Sequence, residues 1–268
     1  MPKPAATVML IRDVEGDEGI EVFLVQRHGK IGFMGGMHVF PGGKVCDDDR
    51  SADLRARVED MDALAAHDVW GEGFDGDDAL ALALAAVRET FEEAGVLLGS
   101  AVPDRATLER ARGRLLGGEP FSALLGELGA RLSLSLLTPF SRWITPDSEP
   151  ARFDTAFYVA RAPLGQRAEH DQREVVGGDW FTPGVALEAL ERGEIRLAPP
   201  TSRTLQDLAE TASVDAAVAL AGSRRPPLIA PLIREIGDEL VLIYPGDPDH
   251  PMREQTLAGP TRRVLRKL

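Results

Sequence analysis

The chain has 268 residues, room for one large domain or one domain with sizeable insertions, and 44% of them are hydrophobic, ample for a buried core. With 43 acidic against 30 basic residues the net charge is −13, which argues against a nucleic-acid surface and means that a phosphate-bearing ligand must arrive with cations. No apolar run is long enough for a membrane helix, the start lacks a signal-peptide core, and Cys46 is the single cysteine, so a reducing cytoplasm is the expected setting.

Apolar, β-branched segments at 5–14 and 20–27 flank the polar Glu15–Gly19 connection and predict a β-hairpin. The glycine-rich stretch Gly29–Gly36 leads through Met37-His38-Val39-Phe40 into Pro41-Gly42-Gly43-Lys44. Residues Asp47–Gly76 are acidic and alanine-rich and predict one helix and a loop. A helix over Asp77–Ala94 opens on the acids around Asp75 and ends at Gly95 in the C′ position, with Val96–Leu98 reading as a strand. Pro103–Arg131 is helical in two pieces, broken at Gly117–Pro120. Strands are expected at Leu136–Trp143, Arg152–Ala162 and Val175–Phe181, the last after the mixed-charge loop Gly165–Glu174. Helices are expected at Pro183–Arg192 and Thr201–Ala219, and a short strand at Glu239–Tyr244. Strands and helices without regular alternation predict an α+β fold around a mixed sheet. The basic end Arg262–Leu268 is expected to pair with acidic surface nearby.

The helix over Asp77–Ala94 holds the chemistry. Glu89 and Glu93 stand one turn apart on one face, with Glu92 beside them. Like charges so placed destabilise a helix unless something compensates them. The plain reading is a solvated acidic face. The sharper one is a site for a hard divalent cation, since Mg²⁺ takes a few carboxylates plus the oxygens of a phosphate substrate. The histidines show no zinc spacing, Cys46 reads as a small residue after a turn, and Trp143, Trp180, Phe153 and Phe157 read as core aromatics before base-stacking ones.

Arg88-Glu89-Thr90-Phe91-Glu92-Glu93-Ala94-Gly95-Val96 resembles the second half of the Nudix box, and Phe40-Pro41-Gly42-Gly43-Lys44 resembles the segment that enters it. Thr90 replaces the apolar residue usual at its slot, and the first acidic slot falls on Asp49. The separation from Gly43 to Arg88 is 31 residues longer than the consensus, a tolerable insertion because closure entropy grows slowly with loop length. The interrupted box, with 143–146, 152–155, 174–177 and 197–200, is similar to the branch holding the acyl-CoA diphosphatase of animal peroxisomes and its bacterial relatives.

That resemblance implies an α/β/α sandwich over residues 1–222, with helical insertions near 45–76 and 103–131 and a C-terminal extension, 223–268, packed on the same domain. It implies metal-dependent cleavage of the diphosphate link of a nucleoside diphosphate joined to another group, with CoA or acyl-CoA as substrate. The alternatives are an ADP-ribose, dinucleotide or nucleotide-sugar pyrophosphatase, or a Nudix-like module that senses such a ligand without cleaving it. The implied cofactor is Mg²⁺ or Mn²⁺, held by Glu89, Glu92, Glu93 and the Gly43 carbonyl, with Arg88 orienting the carboxylates. Glu174 is the candidate general base, with Glu169 and Asp171 as neighbours able to replace it. Arg27, Lys44 and Phe40 are candidate substrate contacts. CoA-directed members carry an arginine four residues before a glycine that precedes the F-P-G-G; here Gly36 fits and Gly32 stands at the arginine slot. A small-molecule partner, no nucleic acid, no membrane, and a homodimer as in many relatives complete the expectation.

Overall fold

The computed structural model describes residues 1–29, 35–70, 73–170 and 175–267, the last two as backbone. In chain order the first elements are β1 (Lys3–Asp13), β2 (Ile20–Arg27), β3 (His38–Val39), β4 (Gly42–Lys44), α1 (Ala52–Arg55), α2 (Ala63–Trp70) and α3 (Gly76–Ala94). There follow β5 (Gly99–Ser100), α4 (Arg105–Leu115), α5 (Phe121–Leu128), β6 (Arg131–Leu132), β7 (Thr138–Ile144), β8 (Phe153–Arg161) and β9 (Val175–Phe181). The last are α6 (Pro183–Glu191), α7 (Pro199–Leu208), α8 (Val214–Gly222), β10 (Leu228–Ile229), β11 (Leu232–Ile236), β12 (Glu239–Ile243) and β13 (Arg262–Lys267).

The main sheet runs β10-β7-β8-β1-β2-β3, with β4 also paired to β1 and β9 also to β2. β1 lies parallel to β8 and β10 parallel to β7, while β1–β2 and β7–β8 are antiparallel, so the sheet is mixed as expected. β1 is buried on both faces, and the strand period of two divides its side chains. Ala6, Val8 and Leu10 join Phe23, Val25 and the apolar side of α3 in one cluster. Met9 and Ile11 join Val22, Leu24, Phe140, Trp143 and residues of α7 and α8 in the other. Helices therefore cover both faces.

Three local expectations change. Among the described residues, 47–76 hold two helices, with a 3₁₀ turn at Asp48–Arg50, instead of one helix, because Ser51 caps α1 by accepting from Leu54 N–H and Asp62 accepts from Ala65 N–H. Val96–Leu98 is buried but is not a strand. The Gln166 amide supplies its pairing, accepting from Leu97 N–H (2.9 Å) and donating to Leu97 C=O (2.8 Å). The helix expected over 201–219 is two: α7 begins on Pro199 and Pro200, and Ser213 restarts the chain as the cap of α8.

The two insertions bind each other. Asp48 accepts from Ser122 N–H and Oγ at the start of α5, and Asp60 accepts from Leu134 N–H and Ser135 Oγ. The C-terminal segment forms a three-stranded antiparallel sheet, β11-β12-β13, wider than the one strand expected. It sends Leu242, Tyr244 and Leu257 into the second core cluster. No described helix is long and apolar enough to cross a membrane.

Candidate active site

The site is assembled where α3 meets the loop before β4. Asp75 caps α3 by accepting from Asp78 N–H, and Gly95 ends it at φ +70°. Residues Ala79–Val87 are buried throughout, so the helix is fixed by packing before its polar end is considered. Thr90 is fully buried and satisfies its hydroxyl by donating to Ala86 C=O at 2.7 Å, which explains how a polar residue occupies an apolar slot.

Arg88 organises the carboxylates. Its Nε and Nη2 hold both oxygens of Asp49 at 2.8 Å each, Nη2 also donates to Lys44 C=O at 2.8 Å, and Nη1 donates to Glu89 at 2.8 Å and Glu92 at 3.0 Å. All five guanidinium protons are thus used. Burial opposes the charge of Arg88, but its bond to Asp49 and the nearby carboxylates raise its pKa above the ordinary arginine value. Asp49 lies at the start of the first insertion and Arg88 beyond its end, so this buried pair closes the insertion onto the helix that follows.

The opposite wall is backbone. β4 pairs with β1 through Ala5↔Lys44, Ala6↔Gly43 and Thr7↔Gly42. Thr7 Oγ1 lies 2.7 Å from Pro41 C=O and 3.2 Å from Phe40 C=O, where its hydroxyl pins the turn. Gly42 N–H donates to Glu93 Oε2 at 2.9 Å. Glycine is required at 43, since a Cβ there would stand 2.4 Å from Glu89 Oε1. The loop and the acidic helix therefore touch directly.

Four carboxylates, Asp49, Glu89, Glu92 and Glu93, converge on this wall against one guanidinium. Burial pushes the Glu89 carboxyl up to about 7, with Arg88 opposing the rise and Glu92 adding to it. Among the described residues no three acidic, His or Cys groups already enclose a cation position. Glu89 and Glu92 do face one another across Arg88 Nη1, and Mg²⁺ is commonly held by one or two carboxylates with substrate phosphate completing the shell. Hard oxygen donors in anionic excess beside a glycine turn fit a divalent cation.

The remaining candidate residues fall into different places. Arg27 ends β2 on the α3 side of the sheet, and its buried Nε has no hydrogen-bond partner among the described residues. Lys44 is exposed, its Nζ 6.0 Å from the centre of the Phe153 ring. Phe40 corrects an expectation: it is 2% exposed and packs edge-on to Phe157 in the second core cluster, supporting the loop from beneath with no face open to a ligand. Trp143 and Phe157 are likewise core. Glu174 and Asp171 lie outside the described residues. Glu169 is tied to Arg105 and Arg167, at 3.1 Å each, and its N–H donates to Ala94 C=O. Two contributors escaped the sequence reading. Thr7 was signalled only as a hydroxyl in an apolar strand, and Arg112 only as one of several arginines on α4, yet its Nε donates to Glu92 C=O near the end of α3.

A mixed sheet between helix layers, with an arginine-braced acidic helix against a double-glycine turn, is the arrangement of a Nudix-type hydrolase. Residues 66–208 match the family model described as the NUDT19 Nudix domain. The chain is 31% identical over 274 residues to the human acyl-coenzyme A diphosphatase NUDT19, spanning 86% of this chain and 72% of that protein. To the Xenopus laevis protein of the same name it is 28% identical over 290 residues, spanning 91% and 75%. A solved Nudix hydrolase from Alicyclobacillus acidocaldarius superposes with a TM-score of 0.66 at 29% identity, covering 82% of this chain and 96% of that one. The chain belongs to the Nudix hydrolases, in the family defined by the NUDT19 Nudix domain. Divalent-metal dependence comes with that membership.

Proposed function

We propose that this Nudix diphosphatase hydrolyses CoA and acyl-CoA, cutting the P–O–P link between the 3′-phosphorylated nucleotide and the pantetheine phosphate. The observation that carries the reading is the Arg88 cage, which gathers an excess of carboxylates against the Gly42-Gly43 turn. The substrate class is supported by the likeness to the human and Xenopus laevis acyl-coenzyme A diphosphatases over most of the chain. Glu89, Glu92, Glu93 and the Gly43 carbonyl would hold Mg²⁺ or Mn²⁺, which when bound would supply the positive charge that the diphosphate oxygens need in the transition state. Arg88 keeps Glu89 and Glu92 aimed and carries no substrate contact, since its donors are all engaged. Glu174 takes the proton of the attacking water as that water bonds to one phosphorus and the bridging oxygen leaves with the other phosphate. Arg27, whose buried Nε has no hydrogen-bond partner among the described residues, and the exposed Lys44 meet phosphate oxygens. Residues 1–222 form the catalytic domain, and 223–268 an extension of the same unit.

The test is product release from CoA, acyl-CoA, ADP-ribose, NADH and a nucleotide sugar, each with Mg²⁺ and with Mn²⁺. The expected result is fastest turnover of CoA or acyl-CoA, giving adenosine 3′,5′-bisphosphate and a pantetheine phosphate. Preferred cleavage of ADP-ribose or NADH would reassign the substrate. Ligand binding without turnover of any diphosphate would make the chain a sensor.

A further inference from the structure

A cleft of about 650 Å³ opens on the α3 side of the sheet, between the segment 162–170 and the strand residues Phe23, Gly178 and Trp180, with Arg12 at its rim. Its size is that of pockets that bury nucleotide-sized ligands. We infer that this cleft seats the nucleobase of the substrate, lying flat on the Arg12 guanidinium. The inference rests on the proposed function, because it takes a nucleoside diphosphate derivative as the substrate.

The cleft is joined to the catalytic wall by its construction. Glu169 N–H donates to Ala94 C=O at 2.9 Å, one residue beyond Glu93, and the Gln166 amide pairs with both backbone groups of Leu97. The outer wall is therefore clamped to the end of the helix that carries the carboxylates. The inner wall runs along β2, where Phe23 stands four residues before Arg27 on the same face. Four residues of strand span about 13 Å, near the reach of an extended adenosine 5′-diphosphate from its outer phosphate to the far edge of its base.

The surface on offer is a flat cation held still. Arg12 lies over the Trp180 ring with 4.2 Å from Cζ to the ring centre, and its Nε is fixed by Glu21 at 2.7 Å. Trp180 is itself wedged against Phe23, their ring centres 5.4 Å apart. One face of the guanidinium is thus spent on the indole while the residue lines the cleft. A planar guanidinium already ordered in this way is a stacking plate for a heterocyclic base. Charge favours the base over a bare phosphate, since Arg12 and Arg167 are balanced in the lining by Glu169 and Asp179. Gly178 lets Phe23 and His170 close onto the strand, for a Cβ there would meet Phe23 Cζ at 2.9 Å and His170 Cβ at 3.0 Å.

The experiment titrates the full chain with adenosine 3′,5′-bisphosphate and, separately, with 4′-phosphopantetheine, for wild type, Arg12→Ala and Arg12→Lys. The Arg12 side chain is 47% exposed, so both variants should fold, which circular dichroism checks. Both should weaken the nucleotide roughly tenfold and raise KM for CoA by a similar factor with kcat unchanged, because lysine keeps the charge but not the plate. Unchanged nucleotide binding in Arg12→Ala, recovery in Arg12→Lys, or loss of phosphopantetheine binding instead would overturn the inference. Normal CoA turnover with KM indifferent to Arg12 sinks the cleft and leaves the proposed function standing. Arg12-dependent nucleotide binding without CoA turnover does the reverse.

Discussion

Arg88 and Arg262 each grip one aspartate through both oxygens, Asp49 at 2.8 and 2.8 Å and Asp247 at 2.7 and 2.8 Å. The surroundings differ. Arg88 is 8% exposed and also carries Glu89, Glu92 and a backbone carbonyl, with Glu93 on the same wall. Arg262 is 41% exposed and, among the described residues, adds Asp249 alone, while Thr261 completes the Asp247 side. The C-terminal cluster leaves its one excess carboxylate, Asp249, in solvent and works as a staple between β13 and the turn at Asp247. The Arg88 cage keeps surplus carboxylates in a poorly solvated place. Burying more negative than positive charge is unfavourable, so such a surplus marks a place prepared for a cation.

The comparison breaks most visibly at the surplus carboxylates and the candidate base. Glu92→Gln and Glu174→Gln should each lower kcat on the order of 10²- to 10³-fold with the far-ultraviolet circular dichroism unchanged. Near-normal turnover of Glu174→Gln would remove that residue from the mechanism. Next comes Asp49→Asn, which leaves Arg88 buried without its main counter-charge. It should destabilise the fold by about 3 kcal/mol in urea titration and reduce activity as well. An effect no larger than that of Asp247→Asn would mean that the two pairs are equivalent staples.

Asp247→Asn should lower Tm less than Asp49→Asn and leave kcat alone. Its pH dependence has a definite sign. The Arg262 hydrogen bonds hold the Asp247 carboxyl below the usual carboxylate range, so its stabilisation is complete above the unfolded value, about 4, and disappears as pH falls through the depressed folded one. The gap between wild type and variant should therefore narrow as pH falls below about 4. A gap that stays constant there would show that the pair contributes packing and not charge. The smallest effect belongs to Thr7→Val, which removes one buried hydroxyl from the turn and should cost about 1 kcal/mol.

The helix Gly76–Ala94 was readable because everything that shapes it is local: an aspartate cap, an unbroken run of good helix formers, and a glycine at C′. Val96–Leu98 was misread because an apolar triplet looks the same whether a strand or a glutamine side chain pairs it, and Gln166 lies 69 residues away. The break between α7 and α8 escaped for a similar reason. Ser213 is an ordinary helix residue until Asp13, from β1, accepts from Val214 N–H. Phe40 belonged to a site motif, yet its burial was settled by Phe157 on a distant strand.

Taken alone, the sequence determined that three glutamates share one helix face, that a double-glycine turn precedes them, and that an insertion separates the two. These follow from spacing along the chain, which backbone geometry converts directly into position. Only the tertiary structure decided that the turn and the helix touch, through Gly42 on Glu93 and through the missing Cβ of Gly43 under Glu89. Arg88 became the hub of the site only when folding carried Asp49 and Lys44 to it across the insertion. A contact between residues 39 or more positions apart depends on how sheet and helix pack, and local residue preferences do not encode that distance.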